Sequence, residues 1–491
     1  MNGRLSLYIC KVLISIGEEM IEAKIFMGSK EVENLKIGKR RSPYNGEVVS
    51  TFPICSSDDA KKALSVAKDA FENSKKSPLF QRVAWLRDVA KRLKKQKELF
   101  AKTITDEIGK PLMFSRVEVS RCIETIELTA DALTHLKGKT IPTDATFSGK
   151  KSTAFYRRVP AGVVVAITPF NFPLNLTAHK LAPALGAGCS VVLKPTPEAP
   201  ATAYLFAKLF IESEYAIEDA LSVVYGDAEV GSALVSSDIP RVISFTGSVP
   251  VGNIITKNAG IKKVSLELGG NAATFVEKSA DISLAATRCA FGAFVNSGQV
   301  CISLQRIYVD EAIYDEFAKE IAKETKKLKV GNPYDDDTFM GPLINEEAKK
   351  RAMSWIESAK KEGAKVIVGG ELVDGIFAPT VMADVHDDMQ IVCEEVFAPI
   401  VSLVKVKNFD ESIKKMNNSP YGLQFSIFTN DLKITQQALE EFECGGIVVN
   451  DVPTVRFDIQ PYGGIKLSGV GREGPEFALE EFTEIQSVVI F

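Results

Sequence analysis

In the stretch NSGQVC, Asn296 to Cys301, a cysteine follows a short polar loop, just after the apolar run DISLAATRCAFGAFV and before ISLQRIYVDE. A thiol in that position can serve as a nucleophile, because Gly298 lets backbone approach a ligand closely. The alternative for a cysteine on an apolar helical face is a small core residue, and that description fits Cys289 within TRCAFGAF. A carboxylate, Glu267, stands earlier in VSLELGGN, where an apolar segment runs out into two glycines. Burying it charged is costly, so it needs either a structural partner or a function at a raised pKa. In ITPFNFPLNL, two prolines flank Phe170-Asn171-Phe172. An amide held there can donate to a developing oxyanion, and it can equally cap a turn.

Two further segments, VVLKPTPEAP and SFTGSVPVG, place Lys194 and Gly247-Ser248 where strands give way to turns. Pro250 can start a helix, and helix N-termini accept pyrophosphate. The spacing is not G-x-G-x-x-G, so a plain strand-to-helix turn is the competing description.

These residues need a scaffold that brings strand ends together. After Pro160, the short apolar runs GVVVAIT, SVVLKP, LSVVYG and RVISFTGS alternate with helical segments, one of them from about Thr177. That is the pattern of parallel strands covered on both faces. Ligands bind outside the carboxyl ends of such strands, where Asn171, Lys194 and Glu267 fall. A second series begins after Gly270, with AATFV, RIYVDE, AKVIVGG, IVSLVKV, FSIFT and GGIVVN as strands and Tyr314 to Leu328 as a helix. The expected fold class is therefore α/β, with two doubly wound domains joined near Leu268-Gly269-Gly270. An amphipathic helix is predicted from Arg82 to Ile108, ended by Gly109 and Pro111. The alternating segments Gly138 to Arg158 and TEIQSVVIF read as exposed β material, an edge commonly covered by another subunit.

Composition narrows the function. At 491 residues, the length suggests about three domains, and 45% apolar with 25% charged residues is the balance of a globular protein. The net charge, 59 − 63 = −4, offers no basic excess for nucleic acid. The eight cysteines lack metal or disulfide spacing, and none of the three histidines lies in an H-x-x-x-H pattern, so no metal is expected. Reduced thiols point to a cytoplasmic protein. The first residues, MNGRLSLYICKVLISIGEEM, are interrupted by Lys11 and too short to span a membrane. They read as an irregular extension, or as an upstream start ahead of Met20 or Met27.

Taken together, PFNFPLNL, VVLKP, FTGS, LELGGN, GQVC, EEVFAP and PYGGIKLSGVGREG occur in the order and spacing of the aldehyde dehydrogenase superfamily. The chain resembles that family from about Ile25 to its C-terminus. The resemblance implies two Rossmann-like α/β domains plus a small β oligomerisation flap. Residues 20–137 and 159–269 would form the dinucleotide-binding domain and 270–446 the catalytic domain. Residues 138–158 and 483–491 would form the flap, and 447–482 a return segment lining the substrate funnel and packing on the cofactor domain.

By the same resemblance, Cys301 is the nucleophile, Glu267 the general base and Asn171 the oxyanion donor. Lys194 and Glu395 would hold the two ribose hydroxyl pairs of NAD or NADP, and Phe397 would pack near the nicotinamide. Ser248 and Gly247 would meet the pyrophosphate, with Thr168, Pro169 and Leu268 completing the cofactor contacts. Phe172 and Arg456 would meet a small-molecule aldehyde, although a solvated surface arginine is the competing description of Arg456. The family implies a homodimer or homotetramer, without nucleic-acid or membrane partners.

Two positions depart from the pattern. Pro197 replaces an acidic residue found in many NAD-using relatives, with Glu198 displaced by one, which leaves NADP use open. Ala398 stands where glycine usually follows Phe397. Val300 precedes the nucleophile, where some phosphorylated-aldehyde enzymes carry arginine. PFNFPLNL followed by His179-Lys180 is most similar to lactaldehyde, semialdehyde and non-phosphorylating glyceraldehyde-phosphate dehydrogenases. Glu267 argues against a coenzyme A-acylating enzyme, and the set of catalytic residue types argues against a silent binding protein.

Overall fold

The computed structural model describes residues 20–33 and 36–491. The expectation for residues 1–19 lies outside them. Two large sheets dominate. In the first, five strands run parallel in the order Lys263–Glu267, Pro240–Thr246, Val163–Ile167, Ser190–Lys194 and Leu221–Val223. Antiparallel strands Gly469–Val470 and Ile25–Met27 flank these five, and Lys30–Val32 adds to the latter. The central strands are buried on both faces, which is why their sequences are continuous Val, Ile and Leu rather than alternating.

The register decides where chemistry can happen. Ile167 pairs with Lys194 and with Phe245, and Thr246 pairs with Glu267, so four parallel strands end at one level. Asn171, Lys194, Ser248 and Glu267 therefore leave the sheet on the same edge, the edge that binds ligands in open α/β sheets.

The second sheet has the order Lys365–Val368, Thr380–Ala383, Ile400–Val406, Leu304–Asp310, Ala272–Val276, Gln424–Phe428 and Gly446–Val449. All but the first pair run parallel. Thr380–Ala383 escaped the sequence patterns: it is four fully buried residues with no alternation to mark it. Separate apolar cores pack against the two sheets, and a small cluster of Val300, Ile302, Leu423 and Tyr462 sits where they meet, against Cys301 and Phe172.

The helix expected from Arg82 to Ile108 is two helices, Leu79–Lys95 and Lys97–Ile108, separated at Gln96 (φ −114°, ψ 20°). A continuous helix would carry the apolar row Leu86, Val89 and Leu93 on to Phe100 and Ile104, with Lys97 its one polar member, so the periodicity runs through the break at Gln96 without marking it. Gly109 ends the second helix in the left-handed region, as expected. The strand Thr153–Pro160 pairs along its whole length with Thr483–Ile490, and Lys139–Ile141 covers its other edge. The two segments read as needing an outside partner are thus each other's partner within one chain, and the strand runs two residues past Arg158.

One buried ion pair ties the helical layer to the site. Lys110 and Glu118 contact each other with no side-chain exposure. Glu118 also accepts from the N–H groups of Leu174 (2.9 Å) and Asn175 (3.2 Å), while Lys110 lies 3.9 Å from the Phe172 ring centroid. Glu118 thereby satisfies the start of helix Asn175–Ala187 and fixes the loop that carries Asn171. Glu118→Ala leaves a buried ammonium and two orphaned amides. The expected cost is about 3–5 kcal/mol in urea unfolding, and a loss under about 1 kcal/mol would remove the pair from this role.

Candidate active site

The nucleophile loop is held in an unusual backbone shape. Asn296, Ser297 and Gly298 have φ of 51°, 56° and 70°, three successive left-handed residues. Asn and Ser tolerate that region better than branched residues, and Gly298 cannot be replaced, since a Cβ there would meet the Ala398 carbonyl at 2.3 Å. The Ser297 hydroxyl donates to the Gly341 carbonyl (2.8 Å), and the Gln299 side-chain oxygen accepts from the Ile344 N–H (2.9 Å). This strained turn delivers Cys301 to the junction of the sheets, where a Cβ on Gly270 would sit 2.4 Å from the Cys301 carbonyl. Cys289, by contrast, is fully buried in helix Ile282–Phe294.

Three groups from the sequence set converge here. The Asn171 amide donates to the Gln299 carbonyl (3.0 Å) and its oxygen accepts from the Phe172 N–H (3.1 Å), leaving one amide N–H for a ligand. Glu267 is buried at the end of its strand with neither carboxylate oxygen hydrogen-bonded. Burial first, and the Glu473 charge second, push its pKa well above the usual carboxylate range. Burial pushes the Cys301 thiol up to about 11, against a downward pull from the Tyr462 hydrogen bond and Arg456. No structural partner satisfies Glu267, so the functional alternative is the one its surroundings favour.

Arg456 is not a solvated surface residue. Its side chain is 7% exposed, its Nη2 donates to Glu473 (3.2 Å) and lies 3.2 Å from His179 Nε2, and its Cζ sits 3.7 Å over the Tyr462 ring centroid. Its Nε is buried without a hydrogen bond, the Asp458 carboxylate lying 4.0 Å away. Glu473 also receives Lys180 (3.1 Å), and although burial opposes ionisation, Lys180, His179 and Arg456 hold its pKa down at about 2. Behind these, Asp458 accepts two hydrogen bonds from Arg121 (2.8 and 2.9 Å) and contacts His179 (3.0 Å). Sequence patterns missed Tyr462, Glu473, Lys180, His179 and Asp458 as neighbours of the site. One signal was present: a lysine inside the apolar helix Asn175–Ala187 is rare unless paired.

The residues expected to meet the cofactor lie beside the same strand ends. Gly247 donates to the Glu267 carbonyl (3.0 Å), and Ser248 opens the 11-residue helix Val249–Ala259, whose N-terminus has no side-chain cap. Lys194, largely buried, lies against Gly231. An uncapped helix start beside a buried lysine suits a dinucleotide's pyrophosphate and ribose. Thr168 N–H donates to the Lys194 carbonyl (3.3 Å), and Leu268 packs against Gly252, joining that turn to the sheet. Glu198, the displaced carboxylate, is paired with Arg40. Across the junction, Glu395 accepts from the Gly270 N–H (3.1 Å), and Phe397, itself left-handed (φ 47°), packs edge-on to Phe170 at 6.0 Å between centroids. The Ala398 methyl is accommodated in the core, while its carbonyl braces Gly298. Among the described residues no cluster could hold a metal ion, and no helix is long and apolar enough to cross a membrane.

The chain is similar to known proteins along nearly its whole length. The sequence profile of the aldehyde dehydrogenase family matches residues 31–488. A 3-sulfolactaldehyde dehydrogenase of Priestia aryabhattai is 42% identical over 448 residues, 91% of this chain and 93% of its own. A lactaldehyde dehydrogenase of Methanococcus aeolicus is 38% identical over 454 residues, 92% and 96% of the two chains. Among solved structures, the NADP complex of glyceraldehyde-3-phosphate dehydrogenase GapN from Methanocaldococcus jannaschii superposes with a TM-score of 0.90 at 39% identity, covering 93% of this chain and all of that one.

Burial raises the Glu395 carboxyl from 4.5 to about 7, with the Gly270 N–H and Arg351 pulling the other way. A folded-state pKa above the unfolded one contributes stability that is complete below about pH 4.5 and lost as pH rises through about 7. The ionised form thus costs up to about 3 kcal/mol at higher pH. Replacing Glu395 by Gln removes that loss, so thermal unfolding of the variant should gain on the wild type between pH 5 and pH 8. A difference in Tm that stays constant over this range would contradict the shift.

Proposed function

Because the chain belongs to the aldehyde dehydrogenase family, and so is an NAD(P)-dependent aldehyde oxidoreductase, we propose that it oxidises a small hydroxylated or anionic aldehyde. Lactaldehyde and semialdehydes are the types that suit it, and the product is the carboxylic acid. The observation that carries this choice is Arg456, a buried guanidinium beside Cys301 with one N–H lacking an acceptor. A carboxylate, sulfonate or hydroxyl on the aldehyde can take that N–H. The relatives named for lactaldehyde and 3-sulfolactaldehyde support the same class. Glyceraldehyde 3-phosphate is the second reading, favoured by the likeness to GapN; Val300 in place of arginine weighs against it.

The reaction follows from the residues at the junction. The Cys301 thiolate attacks the aldehyde carbon, and the resulting oxyanion is held by the free Asn171 N–H and the Cys301 backbone N–H. One such donor lowers the barrier by about 3 kcal/mol. Lys194, Ser248 and Glu395 would hold NAD or NADP, which would supply the hydride acceptor. A thioester remains on Cys301. Glu267 takes a proton from water as that water attacks the thioester, releasing the acid and the thiol. Burial pushes the Glu267 pKa upward, so the fraction able to take a proton grows with pH, and hydrolysis should accelerate as pH rises.

Two measurements follow. With a panel of short aldehydes, reduced nicotinamide absorbance should appear without coenzyme A, and Arg456→Met should lower kcat/KM about 10- to 100-fold more for anionic aldehydes than for propionaldehyde. Equal losses would take Arg456 out of substrate recognition, and silence with every aldehyde would overturn the enzyme reading. Glu267→Gln should give one burst of reduced cofactor followed by little turnover; a normal steady rate would exclude Glu267 as the base.

A further inference from the structure

Tyr462 has no part in the scheme above, yet its phenol oxygen is 3.0 Å from the Cys301 sulfur. The ring is buried in the small apolar cluster with Val300, Ile302 and Leu423. Its backbone is locked on both sides: Tyr462 N–H donates to the Glu473 carbonyl (3.0 Å) and Glu473 N–H donates back (2.7 Å). That bridge, which also carries the Glu473 carboxylate, fixes the backbone from which the phenol reaches the sulfur. Above the ring, the Arg456 guanidinium lies 3.7 Å from the centroid, a contact that strengthens a phenol as a hydrogen-bond donor.

We propose that Tyr462 is a catalytic residue acting at Cys301, its O–H donating to the thiolate and keeping the nucleophile charged and aimed, with Arg456 reinforcing it through the ring. The proposal rests on Cys301 being the nucleophile. The Cys301 S–H bond breaks with its electron pair left on sulfur, and the proton goes to water. Tyr462 keeps its own proton and only shares it, so nothing is oxidised or reduced. When sulfur attacks the aldehyde carbon, that pair becomes the C–S bond and the Tyr462 hydrogen bond relaxes.

The surroundings make Tyr462 a donor rather than a base. Burial and the neighbouring Cys301 and Glu267 push its pKa well above 10, although Arg456 pulls the other way. Around the thiolate, Glu267 at the end of its strand and Glu395 in the loop before Phe397 disfavour the negative charge, while Tyr462 and Arg456 of the return segment favour it. The two favourable groups therefore work against burial and two carboxyls.

The test needs neither aldehyde nor cofactor. The rate of Cys301 alkylation by iodoacetamide, a neutral probe, is followed by peptide mass spectrometry from about pH 6 to about pH 11, which separates Cys301 from the other seven cysteines. Over this range the rate rises with the thiolate fraction, so Tyr462→Phe should displace the rising limb of the profile upward by about one pH unit, roughly a tenfold slower rate at each pH. Arg456→Met, which leaves the phenol in place, should displace it the same way by less. An unchanged rising limb in Tyr462→Phe overturns the proposal, and if that variant does not fold, an unchanged rising limb in Arg456→Met does so. Because the profile is read without substrate, either result stands apart from whether any aldehyde is oxidised.

Discussion

Everything at the site depends on how closely two backbones approach at Gly270. The strand that ends in Glu267 belongs to one sheet and the loop that delivers Cys301 leads into the other, and the Cys301 carbonyl occupies the space a Cβ on Gly270 would fill, 2.4 Å from it. Contact of that kind is available only to glycine. A second close approach, Gly298 against the Ala398 carbonyl at 2.3 Å from a would-be Cβ, holds the same loop against the segment that carries Glu395 and Phe397. Cys301 is thus pinned between the strand that ends in Glu267 and the loop that carries Glu395 and Phe397. That geometry is why residues more than a hundred positions apart can meet over one sulfur.

Electrostatics then divides the labour between two nearby carboxyls. Glu473 has Lys180 and Arg456 as hydrogen-bonded cations and stays ionised, while Glu267, without a hydrogen bond, is pushed toward the protonated form by burial and by the Glu473 charge. Pairs of titratable groups driven apart by their surroundings mark acid and base roles. Arg456 connects the layers: it compensates Glu473, stacks on Tyr462, and keeps an N–H uncommitted at the site. A substrate anion that draws on Arg456 therefore alters the charge balance felt by Glu267 as well.

Much of this was legible in the sequence because it is local. Cys301, Glu267, Asn171, Lys194 and Ser248 each sit at the end of a strand or in the turn after it, and an apolar run stopping at a polar residue is a short-range signal. The parallel strands themselves were read from unbroken Val, Ile and Leu runs. What was not legible depends on residues distant in the chain. Arg456 carries two readings in the sequence, substrate contact and solvated surface residue, and only Glu473, His179 and Tyr462 around it exclude the second. Tyr462 carries no mark in PYGGIKLSG beyond the glycines that follow it. The break at Gln96 is invisible to a pattern that tolerates one lysine on an apolar face, and the flap strands looked unpaired because each finds its partner over three hundred residues away.

The central claim is that the carbon–sulfur bond forms at Cys301. The enzyme is mixed with an oxidised aldehyde of the panel and NADP, quenched in acid during turnover, and its peptides are mapped by mass spectrometry. The account predicts that the peptide containing Cys301 gains the mass of the substrate's acyl group. An unlabelled Cys301 peptide, or the acyl group found on another cysteine, would contradict it.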